Sequence, residues 1–175
     1  MELEYLELGA IVGTHGLQGE LRVHPACDSP AFACQFPLLF FDDAGESPVR
    51  VIGARPHKNV ALLRLEGIAS IEAAQALKSR TLYFRRADAK LEEGQYFIAE
   101  LLGCAVFDEL DSALCYGEIC GVSKTGANDV WHIRLAGGGG EVLIPVIPEV
   151  VGEVDVAAGR VAITPLPGLF QASDF

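Results

Sequence analysis

The sequence lacks the long hydrophobic runs and the basic leader that mark membrane and exported proteins. Its longest apolar run, PLLFF at 37–41, is far shorter than the ~20 residues a membrane helix needs. The N-terminal stretch MELEYLELG carries acidic residues where a signal peptide carries Lys or Arg. We therefore expect a soluble cytoplasmic protein with no membrane contact.

Cysteine patterns typical of disulfide frameworks and zinc sites are also missing. The sequence has 5 cysteines, an odd number, and no C-x-x-C spacing. Isolated thiols of this kind indicate neither a disulfide framework nor a structural metal and fit a reducing compartment. We expect no metal and no cofactor.

Basic residues are scarce in the second half of the chain. Residues 1–90 carry 10 Lys and Arg against 11 Asp and Glu, whereas residues 91–175 carry 3 against 13. An acidic half repels naked nucleic acid and favours a basic partner. Simple solubilisation by acidic residues is the other interpretation of this asymmetry.

Short apolar runs separated by turn residues dominate what is present. They predict strands, and their regular spacing indicates a small barrel or sandwich. In the first half the predicted strands are 5–12, 20–24, 38–42, 49–54, 61–65 and 81–85. In the second half they are 102–107, 114–122, 130–135, 141–145 and 160–164.

Helical signals are confined to one segment, from Ser70 to about Ser79. Ser70 is a suitable N-cap, and Ile71, Ala74 and Leu77 recur at helical spacing. The polar stretch ADAKLEEGQ at 87–95 coincides with the change in charge. We therefore predict a first domain over 1–90, a linker over 91–95 and a second domain over 96–175. The tail from Pro165 is either a flexible end or a segment that packs back on the body.

The glycine-rich stretch GAIVGTHGLQGELRV at 9–23 raises the question of a nucleotide site. No lysine follows the glycines as a P-loop requires, and the spacing does not match G-x-G-x-x-G opening a helix. A tight turn between two strands is the better interpretation. His15 on that turn has the chemistry of a general base, but neighbouring residues supply neither a nucleophile nor an orienting group, so we favour a structural or recognition role.

Two further patterns have both a functional and a packing interpretation. Arginines surround aromatic residues in SRTLYFRR at 79–86, which suits RNA contact, although Leu82 and Phe84 as core with solvated arginines fits better. Tyr96 and Phe97 lie among Glu92, Glu93 and Glu100. If they lie in a strand, one ring faces the core and the other is free to anchor a basic partner. Ordinary packing of both rings is the other interpretation.

The turn GANDV at 126–130 contains the remaining conspicuous acid. Asp129 has the chemistry of a metal ligand or catalytic acid, but no second ligand accompanies it at a suitable spacing. A structural turn is the favoured interpretation.

Taken in order along the chain, these motifs resemble a known family. HGLQGE near the N-terminus, the aromatic pair before Glu-Leu-x-Gly, and GANDV are together similar to the RimM family of ribosome maturation factors. The resemblance spans nearly the whole chain. It implies a six-stranded N-terminal barrel like those of translation factors and a C-terminal PRC barrel.

The resemblance also implies a function without catalysis. RimM-like proteins bind the immature small (30S) ribosomal subunit, contact a basic ribosomal protein of its head (number nineteen) and aid 16S rRNA processing. Carried over, the family's tyrosine pair falls on Tyr96 and Phe97, with Phe97 lacking a hydroxyl, and its D-L-x-G falls on 100–103.

These observations predict a mostly β, two-barrel assembly factor that is a monomer. Tyr96, Phe97 and Glu100 are the predicted partner-binding residues. His15, Arg22, Arg85 and Arg86 are the predicted contacts with rRNA or with the subunit. The alternatives are a PRC-barrel adaptor in another RNA-metabolism complex and a Cys/His hydrolase, which needs a histidine beside a cysteine or carboxylate in a closed pocket.

Overall fold

The computed structural model describes residues 3–26, 29–91 and 94–170. The described residues fall into two compact units, one ending before residue 94 and one beginning there. Within the described residues no helix is long and apolar enough to cross a bilayer.

The first unit is a closed six-stranded barrel. Its strands are β1 (Tyr5–His15), β2 (Glu20–Pro25), β3 (Leu38–Phe40), β4 (Pro48–His57), β5 (Val60–Leu65) and β6 (Thr81–Arg85). They are joined in the order β1-β2-β5-β4-β3-β6, which closes the sheet on itself. Alternate residues of the strands fill the barrel, and Leu8, Leu21, Leu63 and Leu82 are fully buried there.

Two short helices accompany this barrel. The helix α1 (Pro30–Ala33) begins at Ser29, whose hydroxyl accepts from the Phe32 N–H at 3.1 Å. The helix α2 (Ile71–Gln75) begins at Ser70, as the sequence predicts, but it ends four residues before the predicted Ser79. The first unit therefore has one helix more than the sequence predicts.

The second unit is built on another six-stranded sheet. Its strands are β7 (Ala105–Asp108), β8 (Cys115–Lys124), β9 (Asp129–Leu135), β10 (Glu141–Pro145), β11 (Val151–Asp155) and β12 (Arg160–Ile163), in the order β10-β9-β8-β7-β12-β11. All neighbours are antiparallel except β7 and β12, which run parallel with Ala105 opposite Arg160. The core of this unit is centred on Trp131, Ile133, Ile144 and Val106, all of them buried.

The predicted mostly β fold of two small β domains is confirmed, with a closed six-stranded barrel in the first unit and a six-stranded sheet in the second. Two elements of the second unit depart from the prediction. The short helix α3 (Ile98–Leu101) precedes β7, and β11 is a strand that the sequence pattern did not indicate. The C-terminal tail packs back on its unit as far as it is described. Leu169 and Phe170 lie against the core, and the Phe170 ring stacks on Tyr116 with centroids 4.3 Å apart. Residues 171–175 lie outside the described residues.

Candidate partner-binding surfaces

The aromatic pair of the second unit lies at the start of a helix and not in a strand. Phe97 occupies the N-cap position of α3 in an extended conformation, and the Leu101 N–H bonds back to its carbonyl at 3.2 Å. The expectation that adjacent rings face opposite sides of a strand is therefore wrong. Tyr96 packs partly buried against the core, and Phe97 is partly exposed.

Two apolar side chains that the sequence analysis did not single out extend this surface. Ile98 is 37% exposed and Leu102 is 46% exposed, whereas Leu101 between them is buried. Burial of one residue in a short helix with exposure of its neighbours is the pattern of a helix lying on a core. Tyr96, Phe97, Ile98 and Leu102 together form what we call the α3 surface.

Glu100 does not share this exposure. It is 2% exposed, and its backbone carbonyl accepts from the Cys104 thiol at 3.2 Å. The Glu100 carboxylate is therefore not exposed to solvent beside the two aromatic rings. This differs from the sequence-based expectation that Tyr96 and Phe97 are surrounded by exposed acids. Glu92 and Glu93, the other two acids of that expectation, lie outside the described residues.

The glycine-rich stretch is a hairpin between β1 and β2, as predicted. Gly16 and Gly19 have φ of 65° and 74°, and a Cβ at Gly19 would lie 2.9 Å from the Ile68 carbonyl oxygen. The glycines therefore serve tight turning and close backbone approach. Leu17 at the tip is 82% exposed.

The four predicted RNA or subunit contacts fall into two groups on the barrel. Arg22 is exposed on β2 opposite Gly13, and the His15 ring lies near the end of β1. Arg85 lies opposite Tyr5 at the start of β1, and Arg86 follows it in a 3₁₀ turn, Arg86–Asp88.

Gly13 and Tyr5 are roughly 25 Å apart along an extended strand, so the two groups do not form one patch. The Arg85 guanidinium lies 5.9 Å from the centroids of both Tyr5 and Phe40. A hydrogen bond with Tyr5 raises the pKa of the Arg85 guanidinium. Leu82 and Phe84 are buried, which confirms their packing role.

A hydrogen-bonded cluster of polar side chains spans three neighbouring strands of the second unit. His132 Nδ1 lies 2.6 Å from Glu141 Oε1, and His132 Nε2 lies 2.6 Å from Ser123 Oγ. The hydrogen bond with His132, followed by one from Cys120, holds the pKa of Glu141 below its usual value. This cluster has the order of groups found in hydrolytic triads, but 25% of the His132 side chain and 49% of the Glu141 side chain are exposed. The closed pocket that the hydrolase alternative requires is not formed around these side chains.

Asp129 is the first residue of β9 and follows a turn closed by Thr125. The Thr125 hydroxyl accepts from the Asn128 N–H at 3.3 Å, and the Asp129 carbonyl accepts from the Val146 N–H at 2.8 Å. These contacts agree with the predicted structural turn. Among the described residues, no three His, Cys, Asp or Glu side chains are arranged to hold a metal ion.

Comparison with known proteins matches both units to one family. Residues 6–89 match the model of the RimM N-terminal domain, and residues 98–169 match that of the RimM PRC barrel domain. A protein named ribosome maturation factor RimM from Clostridium botulinum (strain Langeland) is 36% identical over 164 residues, covering 93% of this chain and 95% of the relative.

A second relative of the same name, from Staphylococcus aureus (strain bovine RF122), is 37% identical over 170 residues. That alignment covers 95% of this chain and 99% of the relative. A crystal structure of a putative 16S ribosomal RNA processing protein RimM from Pseudomonas aeruginosa is 25% identical. It covers 98% of this chain and 99% of its own, with a TM-score of 0.44.

Proposed function

The chain belongs to the RimM family of ribosome maturation factors, and on that premise we propose that it binds the immature small ribosomal subunit and aids its assembly and 16S rRNA processing. The observation that carries the proposal is the match of both units, in order, to relatives that bear this name over more than nine-tenths of the chain. The proposed role is that of a monomeric binding factor in the cytoplasm, without catalysis and without a cofactor.

In this proposal the second unit docks on a basic ribosomal protein of the subunit head, protein nineteen. Two features support that role. The second half of the chain carries 13 acidic residues against 3 basic ones, which favours encounter with a basic surface. The α3 surface offers aromatic and aliphatic side chains of the kind that anchor protein interfaces.

Within the α3 surface, Phe97, Ile98 and Leu102 are the residues proposed to touch the partner. Tyr96 is proposed to support these residues from the core side, because it packs against the core of the unit. Glu100 is proposed to act from inside the unit by holding α3 in place, since its burial keeps the carboxylate from the partner. The resemblance places a tyrosine where this chain has Phe97, so a contact there uses the ring and not a hydroxyl.

The first unit is proposed to lie against rRNA or neighbouring subunit proteins. His15 and Arg22 near the first hairpin form one contact group, and Arg85 with Arg86 forms another. Guanidinium groups bind phosphate through paired hydrogen bonds, and this chemistry is available at the exposed Arg22 and Arg85.

Sedimentation through sucrose gradients tests the central proposal. The purified protein is mixed with free small subunits, free large subunits or complete ribosomes, at low and at high salt. We expect co-migration with free small subunits only, and less of it at high salt because ionic docking is screened. Failure to co-migrate with any particle would contradict the proposal and favour a PRC-barrel adaptor of another RNA-metabolism complex.

Variants of the α3 surface test the docking role. Ile98→Asp and Leu102→Asp place a charge in the proposed contact and should abolish co-migration. Leu110→Asp is the matched control, since Leu110 is 94% exposed and lies outside the α3 surface. Phe97→Tyr should retain co-migration, whereas Phe97→Ala should weaken it. Equal binding by the α3-surface and control variants would exclude this surface.

A further inference from the structure

Positive charge is concentrated on one outer face of the first barrel, formed by β2, β5 and β4. Arg22 on β2 and Arg55 on β4 both lie opposite Leu62 of β5. Residues in register across neighbouring strands point to the same side of a sheet. Arg22 and Arg55 therefore flank Leu62 on a common face.

Period-two alternation along each strand adds more basic side chains to this face. Arg64 lies two residues from Leu62, and His57 lies two residues from Arg55. His24 is likewise two residues from Arg22, and His15 lies opposite Glu20, two residues before Arg22. The basic face comprises His15, Arg22, His24, Arg55, His57 and Arg64.

Contacts between these side chains support the assignment to one face. The rings of His15 and His57 have centroids 5.5 Å apart although their strands are not neighbours in the sheet. Leu62 is only 1% exposed at the centre of the face.

Two acids lie on or beside this face: Glu20, which pairs with an arginine of the face, and Glu66, which is exposed two residues after Arg64. Glu20 Oε2 lies 3.2 Å from Arg55 Nη2. Within the described residues, no ion pair engages Arg22 or Arg64, and both are exposed. With three arginines against Glu20 and Glu66, this face is net positive in a chain whose net charge is −11.

We propose that the basic face binds the phosphate backbone of RNA. Guanidinium groups two strands apart lie about 10 Å from each other, so they meet separate phosphates and not a single anion. Arginine suits this task because its planar fork forms paired hydrogen bonds to phosphate oxygens. Imidazole N–H groups beside the arginines donate to phosphate or to ribose 2′-hydroxyls.

This inference deepens the proposed function and rests on it in one respect: rRNA is the RNA that a ribosome maturation factor meets. It adds Arg55, Arg64, His24 and His57 to the contacts near the first hairpin. It also separates these contacts from Arg85, at the end of β6, and from Arg86, in the turn that follows, because neither β6 nor that turn is part of this face.

Fluorescence anisotropy of the full chain with a labelled RNA hairpin tests the proposal. The probe is a generic A-form hairpin, titrated with protein at several salt concentrations. Arg22→Gln with Arg64→Gln should weaken binding about tenfold or more at low salt, and should reduce the salt slope by roughly 0.7–0.9 for each phosphate that the variant no longer binds. Arg55 is left intact because its removal would strip Glu20 of its partner.

The matched control removes two basic side chains of the first unit that lie outside this face. Lys78→Gln with Lys90→Gln makes the same change in net charge, and both side chains are exposed and lie outside β2, β4 and β5. Retained RNA binding in this control together with weaker binding in Arg22→Gln, Arg64→Gln supports the basic face. Equal affinity of the two double variants overturns it.

The remaining outcomes separate the two proposals and the two kinds of partner. If the wild-type chain co-migrates with small subunits but does not bind the hairpin, the RNA site is overturned and the assembly role stands. If the hairpin binds through the basic face but the chain sediments with no ribosomal particle, the assembly role fails and the RNA site stands. The wild-type chain could instead bind poly-glutamate and not the hairpin, with poly-glutamate binding lost in Arg22→Gln, Arg64→Gln. That result would overturn RNA as the ligand of the basic face and indicate an acidic protein.

Discussion

At the scale of single residues, two glycines allow neighbouring strands to approach more closely than any side chain permits. Gly9 in β1 and Gly117 in β8 both have φ of 153°. A Cβ at Gly9 would overlap the His24 carbonyl oxygen, and one at Gly117 would overlap the Arg134 carbonyl oxygen. Both glycines adjoin irregularities in strand register. The two units therefore use the same backbone device.

Replacement of Gly117 by alanine tests this requirement in the second unit. The methyl group meets backbone and not a flexible side-chain end, so β8 and β9 must separate. We expect the free energy of unfolding to fall by about 2 kcal/mol or more, measured by denaturant titration with Trp131 fluorescence. Gly126→Ala is the control, since a Cβ there meets nothing within 4 Å. Similar losses in the two variants would disprove the close-approach argument.

A hydrogen bond between Tyr116 and Asp108 gives the second unit a dependence on pH. The Tyr116 hydroxyl donates to Asp108 Oδ2 at 2.5 Å, and the backbone N–H groups of Leu110 and Asp111 donate to the other carboxylate oxygen. The Tyr116 bond, more than the backbone ones, holds the pKa of Asp108 below its usual value. Burial, and then this same hydrogen bond, raise the pKa of Tyr116.

Acid should destabilise the second unit through Asp108. Because its folded-state pKa lies below the unfolded value, the carboxylate stabilises the fold above the unfolded pKa, near 4, and this stability is lost as pH falls through the folded pKa. We expect Asp108→Asn to flatten the loss of stability below about pH 5, followed by Trp131 fluorescence. Glu153→Gln, which removes an exposed charge, should leave the acid limb steep. An unchanged acid limb in Asp108→Asn would count against this assignment.

At the scale of elements, the sequence predicted those parts of the fold that depend on local pattern. The limits of β6 and β10 match the prediction, and Ser70 caps α2 as expected. The early end of α2 was not predicted: after Gln75 the chain continues in tighter turns, in which the Leu77 N–H bonds to the Ala74 carbonyl and the Lys78 N–H to the Gln75 carbonyl. The Ser79 N–H bonds to the Ile11 carbonyl at 2.8 Å, and Ser79 has φ of 70°, so the chain turns there into β6.

Elements whose limits depend on tertiary packing were missed. The segment 98–101 contains apolar residues compatible with a strand, but burial of Leu101 and Glu100 against the second core selects a helix. The strand β11 (Val151–Asp155) was not predicted, because prolines precede it and, in the part of the chain that the structure describes, it is an edge strand beside β12. The helix α1 had a local signal, a serine cap followed by Pro30 at its first turn. The basic face needs strand register, which local sequence does not give.

The C-terminal tail is an element in its own right, although it is neither helix nor strand. The Phe170 ring stacks on the Tyr116 ring, and Tyr116 is only 4% exposed. We expect Phe170→Ala to lower the free energy of unfolding of the second unit by about 1–3 kcal/mol, because apolar burial is reduced. Leu166→Ala, at a side chain that is 42% exposed, should change it by less. Chemical denaturation of both variants measures the free energy of unfolding. Equal losses of that free energy in the two variants would refute the packing role of Phe170.

At the scale of the whole molecule, each unit has its own core, and the single tryptophan lies in only one of them. Trp131 is 2% exposed in the second unit. Fluorescence therefore reports that unit, whereas far-ultraviolet circular dichroism reports the β structure of both. The two signals together distinguish independent from concerted unfolding.

Gly9→Ala tests whether the two units unfold independently, because the substitution disturbs only the first barrel. The added methyl group overlaps the β2 backbone. We expect part of the dichroism signal to disappear at lower temperature while the Trp131 transition keeps its midpoint. Gly13→Ala, where a Cβ meets nothing within 4 Å, serves as the control. A Trp131 midpoint that falls together with the dichroism signal would show that the units unfold as one.

The parallel pairing of β7 with β12 has a consequence for how the protein is made. Translation proceeds from the N-terminus at about 5–20 residues per second, and the first barrel is complete once β6 has left the ribosome. β7 leaves soon afterwards, but its partner β12 is the last strand of the sheet to be synthesised. Until β12 is synthesised, Val106 and its neighbours on β7 therefore remain exposed on the side that β12 will cover. A chain interrupted before residue 160 exposes an incomplete sheet to proteases and chaperones.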